Sequence, residues 1–201
     1  MTRTVYDAYG RPVQEIVDDG SLNLTTTYAY DDNDNLLSTT DPAGAVTCYA
    51  YDALNRRTTE TRDCNGLHLT TTFVYDLAGN LVRATDQRGV ETRIAYDALG
   101  RVTQTCRDAT GLNLCTSYSY DQAGNPIRST NERGIVATYA YDDLNRLTQS
   151  CQDANGLNLC ATYTYDRLGQ LLTTTDPHGI VTAPRSTPLV SRCAPLKTPT
   201  G

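Results

Sequence analysis

The stretch Tyr139-Ala140-Tyr141-Asp142-Asp143-Leu144-Asn145-Arg146-Leu147 decides the fold, because its Tyr-Asp pair returns throughout the chain at a fixed interval. The pairs begin at Tyr6, Tyr30, Tyr51, Tyr75, Tyr96, Tyr120, Tyr141 and Tyr165. Successive pairs are separated alternately by 24 and 21 residues, so the true unit is 45 residues long and consists of two unequal halves.

The repeat predicts one array of four units, at residues 6–50, 51–95, 96–140 and 141–182. Thr2 falls at the position of Thr47, so the chain starts inside a repeat. The pattern stops after Thr182, and residues 183–201 contain four of the eight prolines and the only lysine. We expect this tail to be disordered or to be an extension that is out of register with the array.

Each unit contains four turn signals, which is the rhythm of a chain of short β-strands. Three of them are Asp or Asn followed three residues later by Gly, the pattern of a type I turn, as at Asp97 to Gly100. The glycine position is taken by Asn55, Asn145 and Asp34 in other copies, and these residue types tolerate the left-handed conformation. The sequence therefore predicts an all-β array of hairpins without helices.

The fourth signal is a two-residue hairpin turn, expected at Gly20-Ser21, Asn65-Gly66, Thr110-Gly111 and Asn155-Gly156. Counting outward from such turns places Cys106 opposite Cys115 and Cys151 opposite Cys160. At these positions the Cα atoms would be about 4.5 Å apart, at the short end of the range for a disulfide. We therefore expect these two pairs to be able to form cross-strand disulfides, whereas Cys48, Cys64 and Cys193 have no evident partner.

Composition excludes several classes of protein. The chain has 201 residues, 39% hydrophobic, with a net charge of −6, and it lacks an apolar run long enough to span a membrane. Residues 1–20 show no pattern of a signal peptide. The pI of about 4.8 without a basic stripe argues against nucleic acid as a partner. His68 and His178 are the only histidines, and with no Cys-x-x-Cys motif we expect no metal site, no cofactor and no enzyme activity.

The pattern Tyr-x-Tyr-Asp-x-x-Gly-Arg-Leu resembles the YD repeats of Rhs proteins, wall-associated proteins of Gram-positive bacteria, insecticidal toxin-complex shells and animal teneurins. The clearest matches are residues 139–147 and 96–102, and the resemblance covers residues 2–182. It implies a spiral of β-hairpins that forms the wall of a hollow shell, which in the bacterial members encloses a C-terminal toxin. It also implies export, so we expect a secreted or cell-surface protein.

The chain departs from full-length Rhs proteins at the point where their core motif would lie. Asp176-Pro177-His178-Gly179 is in register with Asp41 and Asp86, so it is a repeat turn and not a self-cleavage motif. We therefore do not expect this chain to have the self-cleavage or the toxicity of full-length Rhs proteins. The residues that we expect to carry the repeat structure are Tyr51, Asp52, Tyr96, Asp97, Gly100, Arg101, Tyr120, Asp121, Gly124, Tyr141, Asp142, Arg146, Tyr165, Asp166 and Gly169.

The recurring tyrosines have two interpretations. They form either a structural ladder along one face of the sheet or a surface on which sugars stack. We favour the ladder, because an exposed aromatic row of this length would promote aggregation. The aspartates at the turns are better explained by turn capping than by calcium binding, since Asp31–Asn35 lacks the other ligands of an EF-hand loop. The Asp and Arg at either end of a turn are expected to form weak surface ion pairs.

Three functions remain open from the sequence. The first is a structural segment of a shell, whose partners are the rest of the shell and its cargo. The second is a module that binds a surface glycan or another protein, and the third is a non-functional gene fragment. In each case the open sheet edges of the array predict self-association of residues 1–182 expressed alone.

Overall fold

The computed structural model describes residues 1–18 and 23–183, and these residues contain strands and turns but no helix. The strands are β1 (Thr2–Tyr6), β2 (Pro12–Asp18), β3 (Asn23–Tyr30), β4 (Leu36–Thr40), β5 (Val46–Tyr51), β6 (Arg57–Arg62), β7 (Leu69–Tyr75), β8 (Leu81–Thr85), β9 (Glu91–Tyr96), β10 (Val102–Arg107), β11 (Leu114–Tyr120), β12 (Pro126–Thr130), β13 (Val136–Tyr141), β14 (Leu147–Gln152), β15 (Leu159–Tyr165), β16 (Leu171–Thr175) and β17 (Val181–Thr182). The prediction of an all-β array of hairpins is confirmed. The expected turn at Gly20-Ser21 and the tail beyond Ala183 lie outside the described residues.

The chain divides into two compact units, residues 1–118 and 119–201. In the first unit the strands from β1 to β11 pair antiparallel in chain order, each with the next. In the second unit β12 to β17 do the same. Turns after odd-numbered strands therefore lie at one edge of each unit, which we call the Tyr-Asp edge, and turns after even-numbered strands lie at the other, the loop edge.

A β-bulge accompanies the Tyr-Asp turns. The register shifts immediately before Tyr30, Tyr51, Tyr75, Tyr141 and Tyr165. A type I turn that ends in a left-handed residue and a bulge is a common hairpin connection, and the glycine slot supplies that residue, with φ of 76° at Gly100 and 58° at Asn55. The Asp-x-x-Gly spacing therefore encodes both the turn and the bulge.

The expected two-residue turns at Asn65-Gly66, Thr110-Gly111 and Asn155-Gly156 are wrong. Each is the centre of a six-residue loop between strands, at residues 63–68, 108–113 and 153–158. In the second of these, the backbone N–H groups of Gly111 and Asn113 both donate to the carbonyl of Asp108, at 3.0 and 2.8 Å. The left-handed residues are Asp108 and Asn113, not the central pair. A two-residue turn and a six-residue loop with the same centre give the same pairing register in the flanking strands, so the predicted strand register is correct.

Gly111 is required because of a close approach and not because of its backbone angle. A Cβ atom there would lie 2.5 Å from a carboxylate oxygen of Asp108, and the same clash exists at Gly66 and Gly156. That carboxylate accepts a hydrogen bond from the N–H of Leu112 at 2.9 Å, so it cannot move without losing the bond.

We therefore expect Gly111→Ala to lower the free energy of unfolding by about 1–3 kcal/mol, as overpacking does. Gly100→Asn is the matched control, because Asn55 and Asn145 already fill that slot, and its effect should stay within about 0.5 kcal/mol. Urea denaturation of the two variants measures the difference. Equal midpoints for Gly111→Ala and the unaltered chain would contradict the close-approach explanation.

Few of the described residues are buried. They are Cys106, Val136, Ala137, Cys151 and Glu91. Glu91 occupies the position of Val136 in the next unit, and it is neutralised by Arg93 and Arg83. Most strand residues are half-buried, so contacts between neighbouring strands and turns, more than a deep core, hold each unit together.

Candidate functional site: the Tyr-Asp turns

The aspartate carboxylate of each Tyr-Asp turn accepts hydrogen bonds from backbone N–H groups of the same turn. In the turn after β5, Asp52 accepts hydrogen bonds on Oδ1 from the backbone N–H groups of Leu54 and Arg56, at 2.9 and 3.0 Å. The backbone adds two more bonds, from Asp52 N–H to the Arg56 carbonyl at 2.9 Å and from Asn55 N–H to the Asp52 carbonyl at 3.0 Å. The carboxylate is therefore a structural acceptor, as turn capping requires.

The arginine at the end of the turn binds the other carboxylate oxygen. Arg56 donates from Nε to Oδ2 of Asp52 at 2.7 Å, and the equivalent contacts at Arg11, Arg101 and Arg146 measure 2.7, 2.6 and 2.7 Å. The Arg56 side chain, followed by the backbone N–H groups, lowers the pKa of Asp52 below its usual range. The same causes lower the pKa of Asp142.

The arginine also reaches the next turn on the same edge. Arg56 donates from Nη1 to the backbone carbonyl of Asp76 at 3.0 Å, and its guanidinium lies 4.8 Å from the centre of the Tyr75 ring. Arg146 makes the same pair of contacts with Asp166 and Tyr165, at 3.1 and 4.8 Å. The expectation of weak surface ion pairs is therefore incomplete, since Arg11, Arg56 and Arg146 each also bind the backbone of the next turn.

In two of the alternate turns an asparagine makes the contact with the next turn. Asn125 donates to Asp121 Oδ2 in its own turn at 2.9 Å and to Oδ1 of Asn145 in the next turn at 2.8 Å. Asn35 bridges to Asn55 in the same way at 2.9 Å. The two halves of the repeat therefore use different side chains for the same connection.

In five of the Tyr-Asp pairs the tyrosine hydroxyl is hydrogen-bonded to the backbone. Each donates to the carbonyl of the first residue in the preceding strand, at 2.9–3.0 Å, as seen for Tyr30, Tyr51, Tyr75, Tyr96 and Tyr165. Burial raises the pKa of Tyr51 above its ordinary value. Where a second tyrosine lies two residues earlier, in a Tyr-x-Tyr sequence, it also has side-chain partners. Tyr28 donates to Glu15 at 3.3 Å, and the hydroxyls of Tyr163 and Ser150 lie 3.1 Å apart.

The cysteines reinforce the opposite, loop edge. The structure joins Cys106 to Cys115 and Cys151 to Cys160, with Cα–Cα distances of 4.0 and 3.9 Å. It also joins Cys48 to Cys64, at 6.0 Å, so the expectation that these two have no partner is wrong. Cys64 lies in the six-residue loop 63–68, and its backbone N–H donates to the carbonyl of Val46 at 3.0 Å. The sequence analysis missed this disulfide because it assumed a two-residue turn, which places Cys64 in a strand and not in the loop.

The predicted repeat residues are gathered at one edge of each unit. Those named Tyr, Asp, Gly and Arg above lie in or beside the turns after odd-numbered strands. The bridges between successive turns were not predicted. The signal in the sequence was the recurrence of Arg56 and Arg146, each 19 residues before the tyrosine of the next turn, but the structure is needed to show that the arginine and that tyrosine are neighbours.

We expect the turn carboxylates to make stability depend on pH. The pKa of Asp52, Asp142 and Asp31 is lower in the folded chain than the ordinary value of about 3.9 that applies when it is unfolded. The ionised form is therefore the one that the fold favours, so its contribution is complete above about pH 5 and is lost as the pH falls through about 4 and below. The urea midpoint should fall steadily in that acid range.

The control for the acid prediction is the double variant Asp52→Asn, Asp142→Asn. An amide oxygen can still accept the backbone bonds, but it carries no charge to titrate. The midpoint of this variant should be lower at neutral pH and less sensitive to acid. A midpoint of the unaltered chain that is flat down to pH 2 (about two units below the ordinary pKa) would contradict the prediction.

Comparison with known proteins agrees with this geometry. The RHS repeat family matches the chain seven times in overlapping windows, at residues 6–46, 30–66, 51–91, 75–111, 96–136, 120–156 and 141–181. The chain therefore belongs to the RHS repeat family. No curated protein sequence matches it.

Solved structures show the same fold. A TcdB2-TccC3-Cdc42 crystal structure matches with a TM-score of 0.69 and 19% identity, over 92% of this chain and 11% of the solved chain. A TcdB2-TccC3 structure without the hypervariable C-terminal region gives 0.68 and 21%, over 92% and 11%. A Tc holotoxin pore of Photorhabdus luminescens gives 0.69 and 20%, over 91% and 11%. The chain thus spans about a tenth of the length of the proteins that it matches.

Proposed function

We propose that this chain is a non-catalytic structural segment of an Rhs-type shell, which encloses and presents a C-terminal toxin or effector. The support is the way in which the repeating side chains are used. The Asp, Arg and Tyr side chains at the Tyr-Asp edge bind their own turn or the neighbouring hairpin, which suits a wall more than a reactive surface.

We also propose that the protein works outside the cytosol, secreted or at a cell surface. Three disulfides among the described cysteines favour an oxidising compartment. The partners under this proposal are the remainder of the shell and the cargo inside it.

The test of enclosure uses the full-length polypeptide in which this chain occurs. Protease added to the intact protein should leave the C-terminal effector uncut, and the effector should become sensitive when the wall is weakened by Asp52→Ala and Asp97→Ala together. Leu77→Ala, which alters a fully exposed side chain on the same edge, is the control that should leave protection intact. An effector cleaved equally fast in all three proteins would refute enclosure.

The alternative is a module that binds a glycan or a partner protein. Its best candidate surface includes Tyr118, the most exposed tyrosine among the first tyrosines of the Tyr-x-Tyr pairs, at 36%. A glycan array separates the two functions. Sugar-selective binding that disappears in Tyr118→Ala and Tyr163→Ala would favour the module, and the absence of sugar-selective binding would favour the wall.

A further inference from the structure

Two of the six-residue loops contain an exposed Asn-Gly pair. Asn65-Gly66 lies in the loop 63–68, and Asn155-Gly156 lies in the loop 153–158. The glycine is required by the close approach of the aspartate that begins the loop, because a Cβ atom would lie 2.6 Å from a carboxylate oxygen at Gly66 and 2.5 Å at Gly156. The residue before the glycine is not restricted in this way, since the third loop has Thr110 there. These loops therefore place an exposed asparagine before an obligatory glycine.

An asparagine that precedes glycine can lose its side-chain amide without a catalyst. The backbone nitrogen of the glycine attacks the side-chain carbonyl carbon of the asparagine, and the new C–N bond closes a cyclic imide. The amide C–N bond of the side chain breaks, and its nitrogen leaves as ammonia with the proton of the glycine N–H. Water then opens the imide at either carbonyl, which yields aspartate or isoaspartate. Glycine favours the reaction because it has no side chain to obstruct the approach.

In the folded loops the attacking nitrogen is held by a hydrogen bond. The glycine N–H donates to the carbonyl of the aspartate that begins the loop, at 3.0 Å for Gly66 and 2.9 Å for Gly156. The next N–H donates to the carboxylate of the same aspartate, at 2.9 Å in both loops. The glycine nitrogen must turn toward the asparagine side chain to react, so these bonds must open first. The rate in the folded chain therefore depends on how often the loop opens locally.

The two loops differ in their covalent attachment. Cys64, which directly precedes the asparagine of the first loop, is bonded to Cys48 in β5. The equivalent position in the second loop is Ala154. The bond between Cys151 and Cys160 joins the strands that border the second loop and includes none of its six residues. The second loop therefore opens when hydrogen bonds break, whereas a covalent bond restricts the opening of the first.

We propose that Asn155 is a site of spontaneous deamidation in the folded chain, and that the Cys48–Cys64 disulfide protects the equivalent Asn65. Each reaction at Asn155 replaces a neutral amide by a negative charge in a loop that already contains Asp153. Isoaspartate also adds one carbon atom to the main chain of the loop, which changes the spacing of its hydrogen-bonding groups. The reaction requires neither a shell nor a cargo, so it goes beyond the proposed function.

Peptide mapping by mass spectrometry tests the proposal on the oxidised 201-residue chain, incubated at one temperature and one neutral pH. Asn155 should be converted at least about fivefold faster than Asn65, because its loop opens more readily. The reference is the chain unfolded in urea with a reductant, in which both asparagines should react at similar rates and faster than in the fold. An Asn155 that stays unmodified in the folded chain while the unfolded chain reacts completely would overturn the proposal, and so would equal rates at the two sites of the folded chain.

The double variant Cys48→Thr, Cys64→Ala tests the role of the disulfide, because Thr138 and Ala154 occupy the equivalent positions beside the second loop. The readout is the ratio of the two rates, since a general loss of stability would raise both. In the variant, Asn65 should react at least as fast as Asn155.

The matched control is Cys106→Thr, Cys115→Thr, which removes a disulfide beside the loop that contains Thr110 and not asparagine. It should leave the ratio of the two rates unchanged. A ratio that stays unchanged in the Cys48→Thr, Cys64→Ala variant, or that changes equally in the control, would overturn the protective role of the disulfide.

Discussion

Replacement of Cys106 and Cys115 by threonine is expected to lower the free energy of unfolding under oxidising conditions by about 2.5–3 kcal/mol. The estimate follows from the short loop that this bond closes, across nine residues of sequence. Threonine is the appropriate replacement, because the chain already contains a Thr61–Thr70 pair at the equivalent position, with hydroxyl oxygens 2.9 Å apart. The variant therefore has the same pair of residues as the equivalent position in another unit, and we expect it to pack without a cavity.

Urea denaturation measures this effect, and hydrogen exchange at β10 and β11 locates it, since repeat arrays can unfold in parts. The control is the same comparison under reducing conditions, which break all three disulfides, so that the unaltered chain and the variant should then have the same midpoint. An unaltered chain and a threonine variant with the same midpoint under oxidising conditions would show that the bond contributes nothing. The loss should be larger when Cys48 and Cys64 are also replaced, because that bond closes a longer loop.

Tyr75→Ala is expected to cost about 2–3 kcal/mol, less than truncation of a fully buried aromatic residue. Three contacts are lost together: the half-buried ring, the Arg56 guanidinium 4.8 Å from its centre, and the 2.9 Å hydrogen bond from the hydroxyl to the carbonyl of Arg57. Tyr75→Phe removes only the last of these, so its expected cost is about 1 kcal/mol.

Tyr9→Ala is the control, because Tyr9 is 84% exposed and lies outside the positions at which tyrosine recurs, and its effect should be under about 1 kcal/mol. Denaturation midpoints of the three variants give the series. If Tyr75→Ala cost no more than Tyr9→Ala, the tyrosines would not be a structural ladder, and the sugar-binding interpretation would gain support.

These predictions bear on the division between wall and binding module. The hydroxyls of the tyrosines in the Tyr-Asp pairs donate to backbone carbonyls, as at Tyr51 and Tyr96, so a glycan could hydrogen-bond to them only in competition with the backbone. A sugar would have to displace those bonds, each worth about 1 kcal/mol. The hydrogen bonds of Asp52 and Asp142 point in the same direction, because their carboxylates bind the backbone of the turn and the adjoining arginine.

The hairpin array, the Tyr-Asp turns and the register of the cysteine pairs could all be predicted from short stretches of sequence. These are local properties: Asp at the first position and Gly, Asn or Asp at the fourth specify a turn within five residues. Repetition then removes ambiguity, because the same turn recurs at a fixed interval. The register that places Cys151 opposite Cys160 depends only on where the centre of the hairpin lies. The prediction of this register is therefore correct although the predicted two-residue turn at Asn155-Gly156 is wrong.

The contacts between side chains of different hairpins could not be predicted in this way. Arg56 and Asp76 are 20 residues apart, and Cys48 and Cys64 are 16 apart, so no local rule connects them. Their contacts depend on how neighbouring hairpins pack and on the true length of the loop at residues 63–68. A turn depends on a few adjacent residues, so a short sequence pattern predicts it. A contact between two turns depends on residues that are distant in sequence and become neighbours only when the strands pair.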